Sequence, residues 1–221
     1  MQKLHPFLRA QVVFLIIAIP LFLFPKGTFL LWLNDLHSPF LDVFFRFTTY
    51  IGDGLVPAII IVFLLFVSYY KTIVFTGAIL LETAIVQGLG KQWLFSHLVR
   101  PKKYFSEDVI LNFVEGVNVH GHHTFPSGHT GVAFVWLCFL ALSVDKKWGL
   151  PLFLVAFLAA LSRVYILQHF FVDIYFGSLI GTVSVILVKY LFETKTSLTE
   201  KPAWQKGLLG DRLSWQANNR R

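Results

Sequence analysis

The chain has 221 residues, 56% of them hydrophobic and only 14% charged, with 24 Phe, 6 Trp and a mean hydropathy of +0.66. A soluble domain carries about 25% charged residues, so this composition excludes a water-soluble globule, and a disordered chain would be far less apolar. The formal net charge of +7 sits in loops and the C-terminal tail, where anionic lipid and topology signals account for it, and nucleic acid is not an expected partner.

Six apolar segments follow one another, at about 8–24, 55–70, 72–89, 130–144, 148–161 and 174–192. They predict an all-α polytopic membrane protein, a six-transmembrane-helix bundle forming a single domain over 1–221. Lys3 and Arg9 precede the first segment, which lacks a small-x-small cleavage site and reads as an uncleaved anchor. An N-terminus placed inside puts Lys3, Arg9, Lys71, Lys146, Lys147 and the basic residues of the tail on the inner side. That is the larger share of the 19 Lys and Arg, so the expected topology is N-in and C-in.

Between the first two spans, Phe40, Leu41, Phe44, Phe45 and Phe47 alternate with Asp42, Arg46, Thr48 and Thr49. This segment, 34–54, reads as an amphipathic helix at the outer interface, or equally as a helical connector packed on the bundle. Residues 34–38 start it, and Gly52-Asp53-Gly54 ends it. The connection 91–129 is anomalously long and holds five of the eight His; loops of that length are usually functional. The tail, 193–221, is polar and cytoplasmic in this topology, with Trp204, Leu208, Leu209, Leu213 and Trp215 as an inner-leaflet contact or a loosely ordered end. Cys138 is the single cysteine, which excludes an intrachain disulfide and a thiol metal site.

Three stretches carry the chemistry, all on the expected outer side. The first is Lys91 through Arg100-Pro101, the second Pro126-Ser127-Gly128-His129, the third Ser162-Arg163 followed by His169 and Asp173. Lys91, Arg100 and Arg163 are cations at the ends of apolar segments, with too few acids nearby to neutralise them. Charges there are costly unless they pair or serve a ligand, and a phosphate would satisfy them. Ser127 and Gly128 precede the fourth span, where a small residue lets backbone N–H groups approach an anion. His169 and Asp173 are four apart and share a helix face; an Asp on one ring nitrogen leaves the other as nucleophile or base. With His129 as second imidazole, these are the parts that phosphoryl transfer through a phosphohistidine requires.

The three stretches resemble the signature of the type 2 phosphatidic acid phosphatase superfamily, membrane lipid phosphatases related to the vanadium haloperoxidases. That pattern is Lys-x6-Arg-Pro, Pro-Ser-Gly-His and Ser-Arg-x5-His-x3-Asp. The last two match without gaps. The first has eight intervening residues, which leaves Lys102 and Lys103 as alternatives to Lys91. The resemblance covers about 34–192. It implies that His169 attacks phosphorus, that Asp173 orients it, and that His129 protonates the leaving oxygen and then helps activate water. Lys91, Arg100, Ser127, Gly128 and Arg163 would bind the phosphate, with no cofactor and no metal. The implied substrate is a lipid phosphate at the outer leaflet of a bacterial inner membrane: a polyprenyl pyrophosphate, lipid A, phosphatidylglycerol phosphate or phosphatidic acid. A phosphotransferase using the same intermediate, or an anion or lipid transporter, are the competing classes.

Two features stand outside the signature. His120, His122 and His123 form a cluster that reads as a solvated loop, with a zinc site or a lipid-headgroup contact as the functional alternatives. Glu82 lies inside the third span, about 13 Å of helix before Lys91, and reads as a protonated carboxyl hydrogen-bonded in the bundle near Gln87.

Overall fold

The structure is a computed structural model and describes residues 4–196, 198 and 200–209. The first helix, α1 (Pro6–Ile17), starts with Pro in the first turn, where its missing N–H costs nothing. The His5 ring accepts a hydrogen bond from Phe7 N–H at 3.3 Å and so caps it. Pro20 cannot continue the α ladder, and the chain goes on as a 3-10 turn, Ile19–Leu23. Gly27, at φ +104°, turns the chain into α2 (Thr28–Asp35). A Cβ there would lie 2.6 Å from the Phe105 ring, so both backbone angle and space require glycine.

Ser38 caps α3 (Pro39–Thr48) by accepting from Leu41 N–H at 3.3 Å. Asp42 in its first turn and Arg46 in its last complement the helix dipole. A 3-10 turn, Thr49–Gly52, leads to α4 (Leu55–Val67), whose first N–H donates to Asp53 Oδ1 at 2.8 Å. The pair is bent by 47°. After Ser68, α5 (Tyr69–Thr83) runs on without a break as a π-helix, Ala84–Leu94. The remaining helices are α6 (Pro101–Tyr104), α7 (Gly128–Ala141), α8 (Gly149–Tyr165), α9 (Phe171–Lys195) and α10 (Pro202–Gln205).

The centre of the bundle is α7, whose Ala133, Phe134, Val135, Leu137, Cys138 and Ala141 are all buried. It packs on α5, α8 and α9. Without a hydrophobic driving force between helices in lipid, close approach depends on small residues. Gly177 supplies one contact: a Cβ there would stand 2.6 Å from the Ser127 carbonyl oxygen. Gly181 meets the Gly131 backbone in the same way, and on the other side of α7 the Glu82 carboxyl lies against Gly131. Glu82 is 1% exposed and accepts from Thr83 Oγ1 at 3.3 Å.

Among the described residues four helices are long and apolar enough to cross a membrane: Pro6–Leu23, Tyr69–Leu94, Lys146–Tyr165 and Phe171–Lys195. The bent pair Pro39–Gly52 and Leu55–Val67 makes a fifth. The segment read as a fourth span is the 14-residue α7. At 1.5 Å per residue it rises about 21 Å, short of a bilayer core of about 30 Å. The segment expected as an amphipathic helix is α3 with its 3-10 extension, with Phe45 buried and Phe40 and Phe47 exposed. The tail is partly docked. Leu208 and Leu209 N–H donate to the Leu65 and Phe66 carbonyls at 3.0 and 3.2 Å, which occupies acceptors that the end of α4 leaves unpaired. Leu213 and Trp215 lie outside the described residues.

The Gly177 contact sets a sign that helix propensity alone would get wrong. Ala is favoured over Gly in a helix by about 1 kcal/mol, but the Ser127 carbonyl cannot move aside. Gly177→Ala is expected to destabilise by about 1–3 kcal/mol. Gly54→Ala, with open space around its Cβ, is expected to leave the melting temperature in detergent unchanged or slightly raised.

Candidate active site

One turn of backbone sets the spacing of the third stretch. At the end of α8 the Arg163 carbonyl accepts from both Gln168 N–H and His169 N–H at 3.0 Å. Leu167 makes that reversal in the left-handed region, at φ +60°. Five residues therefore separate Arg163 from His169 while their backbones remain in contact. Four residues further on, Asp173 sits in the first turn of α9 and accepts from Phe170 N–H at 2.9 Å. The same oxygen, Oδ2, accepts from the Thr124 hydroxyl and from His169 Nδ1 at 3.2 Å. His169 and Asp173 are 1% and 0% exposed. With Nδ1–H committed to the carboxylate, Nε2 carries the ring's lone pair.

The second stretch is tied to the third through the backbone, as Ser127 N–H donates to the Asp173 carbonyl at 3.1 Å. Ser127 Oγ caps α7, accepting from Thr130 N–H at 3.4 Å and from its hydroxyl at 3.0 Å. Gly52 packs against His129 so closely that a Cβ would lie 2.8 Å from its carbonyl carbon. Gly128 leaves space for polar side chains: a Cβ there would stand 2.9 Å from Gln87 Nε2 and 3.6 Å from Lys91 Nζ.

These elements enclose a cavity of about 350 Å³. His129, His169, Lys91, Arg100 and Arg163 all line it. Asp173 stands behind His169, while Ser127 and Gly128 are buried outside the lining. Lys102 and Lys103 are exposed on α6 and do not reach the cavity. The π-helix carries Lys91 to it despite the longer spacing to Arg100; wide turns of this kind recur at functional sites. Each arginine is held by a neighbouring acceptor. Arg163 donates to Thr49 Oγ1 at 2.6 Å. Arg100 donates through Nε to the His122 carbonyl at 2.8 Å and through Nη1 to Gln168 Oε1. Gln168 in turn donates to the Asn118 carbonyl at 2.8 Å.

Several lining or supporting residues lie outside the three stretches: Arg46, Thr49, Tyr50 and Asp53 around the end of α3, Gln87 on the π-helix, and Thr124; Gln168 is an unassigned position within the third. The first group had a signal, since 46, 49/50 and 53 recur at helical spacing on the face opposite the phenylalanines. Among the described residues Asp53 is the only acidic side chain in the lining. Such a cavity favours an anion, and its Arg forks match phosphate oxygens. His120 lines the cavity, while His122 and His123 stand outside it. Among the described residues no three His, Cys, Asp or Glu side chains are grouped in a way that would hold a metal.

The PAP2 superfamily model matches residues 71–197, more than half of the chain. No curated protein sequence matches. Among solved structures, LpxE of Aquifex aeolicus superposes with a TM-score of 0.65 at 29% identity, over 75% of this chain and 94% of that one. A transmembrane PAP2 type phosphatidylglycerolphosphate phosphatase from Bacillus subtilis superposes with a TM-score of 0.61 at 20% identity, over 86% of this chain and 96% of that one. The chain belongs to the PAP2 superfamily. That membership and the apolar helices support an integral-membrane phosphatase.

His169 lies in the loop between α8 and α9. Burial, then the charges of Arg100, Arg163 and Lys91, and His129 last, hold its imidazole well below the ordinary value of 6.5. A lowered pKa means that the neutral ring persists as pH falls. In a 15N histidine spectrum, His169 is expected to stay neutral as the pH falls through 6.5, where an ordinary imidazole is half protonated. A midpoint near 6.5 would show that the ring is not buried among cations.

Proposed function

We propose that this chain is a lipid phosphatase that works through a phosphohistidine at His169. The observation that carries the reading is the buried His169–Asp173 pair facing a cavity whose other charged groups are almost all cationic. In this reading the His169 Nε2–P bond forms as the bond from phosphorus to the lipid oxygen breaks. His129 gives its proton to that oxygen. A water then attacks the phosphohistidine, loses its proton to His129, and inorganic phosphate leaves as His169 is restored. Asp173 fixes the His169 tautomer and stabilises positive charge on the ring. Lys91, Arg100 and Arg163 hold the equatorial oxygens and do the work that a metal does elsewhere. The N-terminus of α7 at Ser127 and Gly128 adds its positive dipole end beneath the anion.

The expected topology fits the same picture. Gly149, at the start of α8, packs on Phe7 near the start of α1, while the other end of α8 carries Arg163. Residues 208 and 209 dock on the far end of α4 from Asp53. Phe7 near the start of α1 and residues 208 and 209 therefore lie opposite the cavity, which supports a six-span, N-in and C-in arrangement with α7 as a short central span. The cavity would open at the outer face of a bacterial inner membrane, with α3 at the interface and one domain formed over 1–221. Polyprenyl diphosphate, lipid A, phosphatidylglycerol phosphate and phosphatidic acid are all chemically suitable substrates.

The test is phosphate release from these four lipids by the purified protein. Wild type is expected to release phosphate from at least one, to be inhibited by vanadate and to be indifferent to EDTA. His169→Gln, inserted and folded, is expected to lose at least about 10³-fold in kcat. Full activity in that variant would overturn the mechanism. Transfer to a second lipid without free phosphate would show a phosphotransferase.

A further inference from the structure

A second cavity, of about 500 Å³, lies against the first. The two share Gln87, Lys91, Arg100 and His120; the second adds Gln92, His122 and His123. Among the described residues neither a carboxylate nor an apolar side chain lines it. Charge is added at its rim, where Lys103 Nζ stands 2.6 Å from His122 Nε2. An ammonium has only donors, so His122 accepts there. His123 Nδ1 lies 3.1 Å from the Lys91 carbonyl and therefore donates.

The histidine loop is built onto the phosphate site. Val99 and His122 form an antiparallel bridge, Arg100 N–H donates to the Gly121 carbonyl at 3.0 Å, and Arg100 Nε donates to the His122 carbonyl. One arginine thus serves the first cavity with its guanidinium and holds the wall of the second with its backbone. Neither His169 nor Arg163 lines the second cavity, so it lies away from the attacking nitrogen. In an in-line displacement the leaving group departs on the side away from the attacking nitrogen.

We propose that the second cavity is an anion subsite that takes a second phosphoryl group of the same lipid headgroup while the first stands at His169. This rests on the phosphatase reading and sharpens it: substrates carrying two nearby phosphates are preferred over a monophosphate with the same tail. Gln92, His122 and Lys103 would set that preference, with Lys91 and Arg100 contacting both groups.

Two non-hydrolysable probes read the subsite without turnover. Binding of methylenediphosphonate and methylphosphonate to the full chain in detergent is measured by calorimetry, for wild type and for a His122→Ala, Lys103→Ala double variant. Wild type is expected to bind the diphosphonate at least about ten-fold tighter, and the variant to narrow that ratio to within about three-fold. Equal affinity in wild type overturns the proposal, and needs no variant to fold. An undiminished ratio in a folded variant overturns the assignment to this loop. In parallel, kcat/KM for farnesyl diphosphate is expected to exceed that for farnesyl monophosphate in wild type. Phosphate release from neither would contradict the phosphatase reading, while the calorimetric ratio would still report on the subsite.

Discussion

Everything at this site depends on one buried carboxylate. Asp173 Oδ2 gathers three donors, from the Thr124 hydroxyl, the Phe170 backbone and the His169 ring. Those donors come from the loop before α7, from the start of α9 and from the turn after α8. The Asp173 backbone carbonyl adds Ser127 N–H. A single residue therefore fixes the tautomer of one imidazole and ties together the helix ends around the cavity. An isolated carboxylate would not survive such burial, and the convergence of donors is what makes it tenable.

Positive charge is the complementary constraint. Lys91, Arg100 and Arg163 face one small volume in which, among the described residues, Asp53 is the only acid. Each arginine is held in place by neighbouring acceptors, Arg163 by Thr49 and Arg100 by Gln168 and the His122 carbonyl. These anchors pre-orient the guanidinium forks, so under the proposed function an entering phosphate would meet donors already in place. Glycines complete the arrangement by letting the carriers approach: Gly52 lies against His129, and Gly177 against Ser127.

The sequence made the membrane class, the helical segments and the three charged stretches legible, because they depend on composition, period and local spacing. The x5 and x3 spacings of the third stretch have direct structural counterparts in a reverse turn onto the Arg163 carbonyl and a first-turn carboxylate on α9. Other features were not readable. The eight residues between Lys91 and Arg100 look like a departure in one dimension, but the π-helix brings Lys91 to the cavity all the same. The bounds of α7 are displaced from the expected 130–144 to Gly128–Ala141, since its apolar run continues beyond the last helical residue. Thr124 and Gln168 carried no signal of their own, because a lone hydroxyl or amide acquires meaning only from what folds against it. Arg46, Thr49 and Asp53 did carry one, on the polar face of a helix noticed mainly for its phenylalanines.

The central claim is that His169, held by Asp173, becomes covalently phosphorylated. Rapid acid-free quenching during turnover of a lipid phosphate, followed by peptide mass spectrometry, reads this directly. The account predicts a phosphoryl group on Nε2 of His169, present during turnover and gone once substrate is exhausted. Steady turnover with no phosphorylated His169 at any quench time, or with the label on another residue, would contradict it.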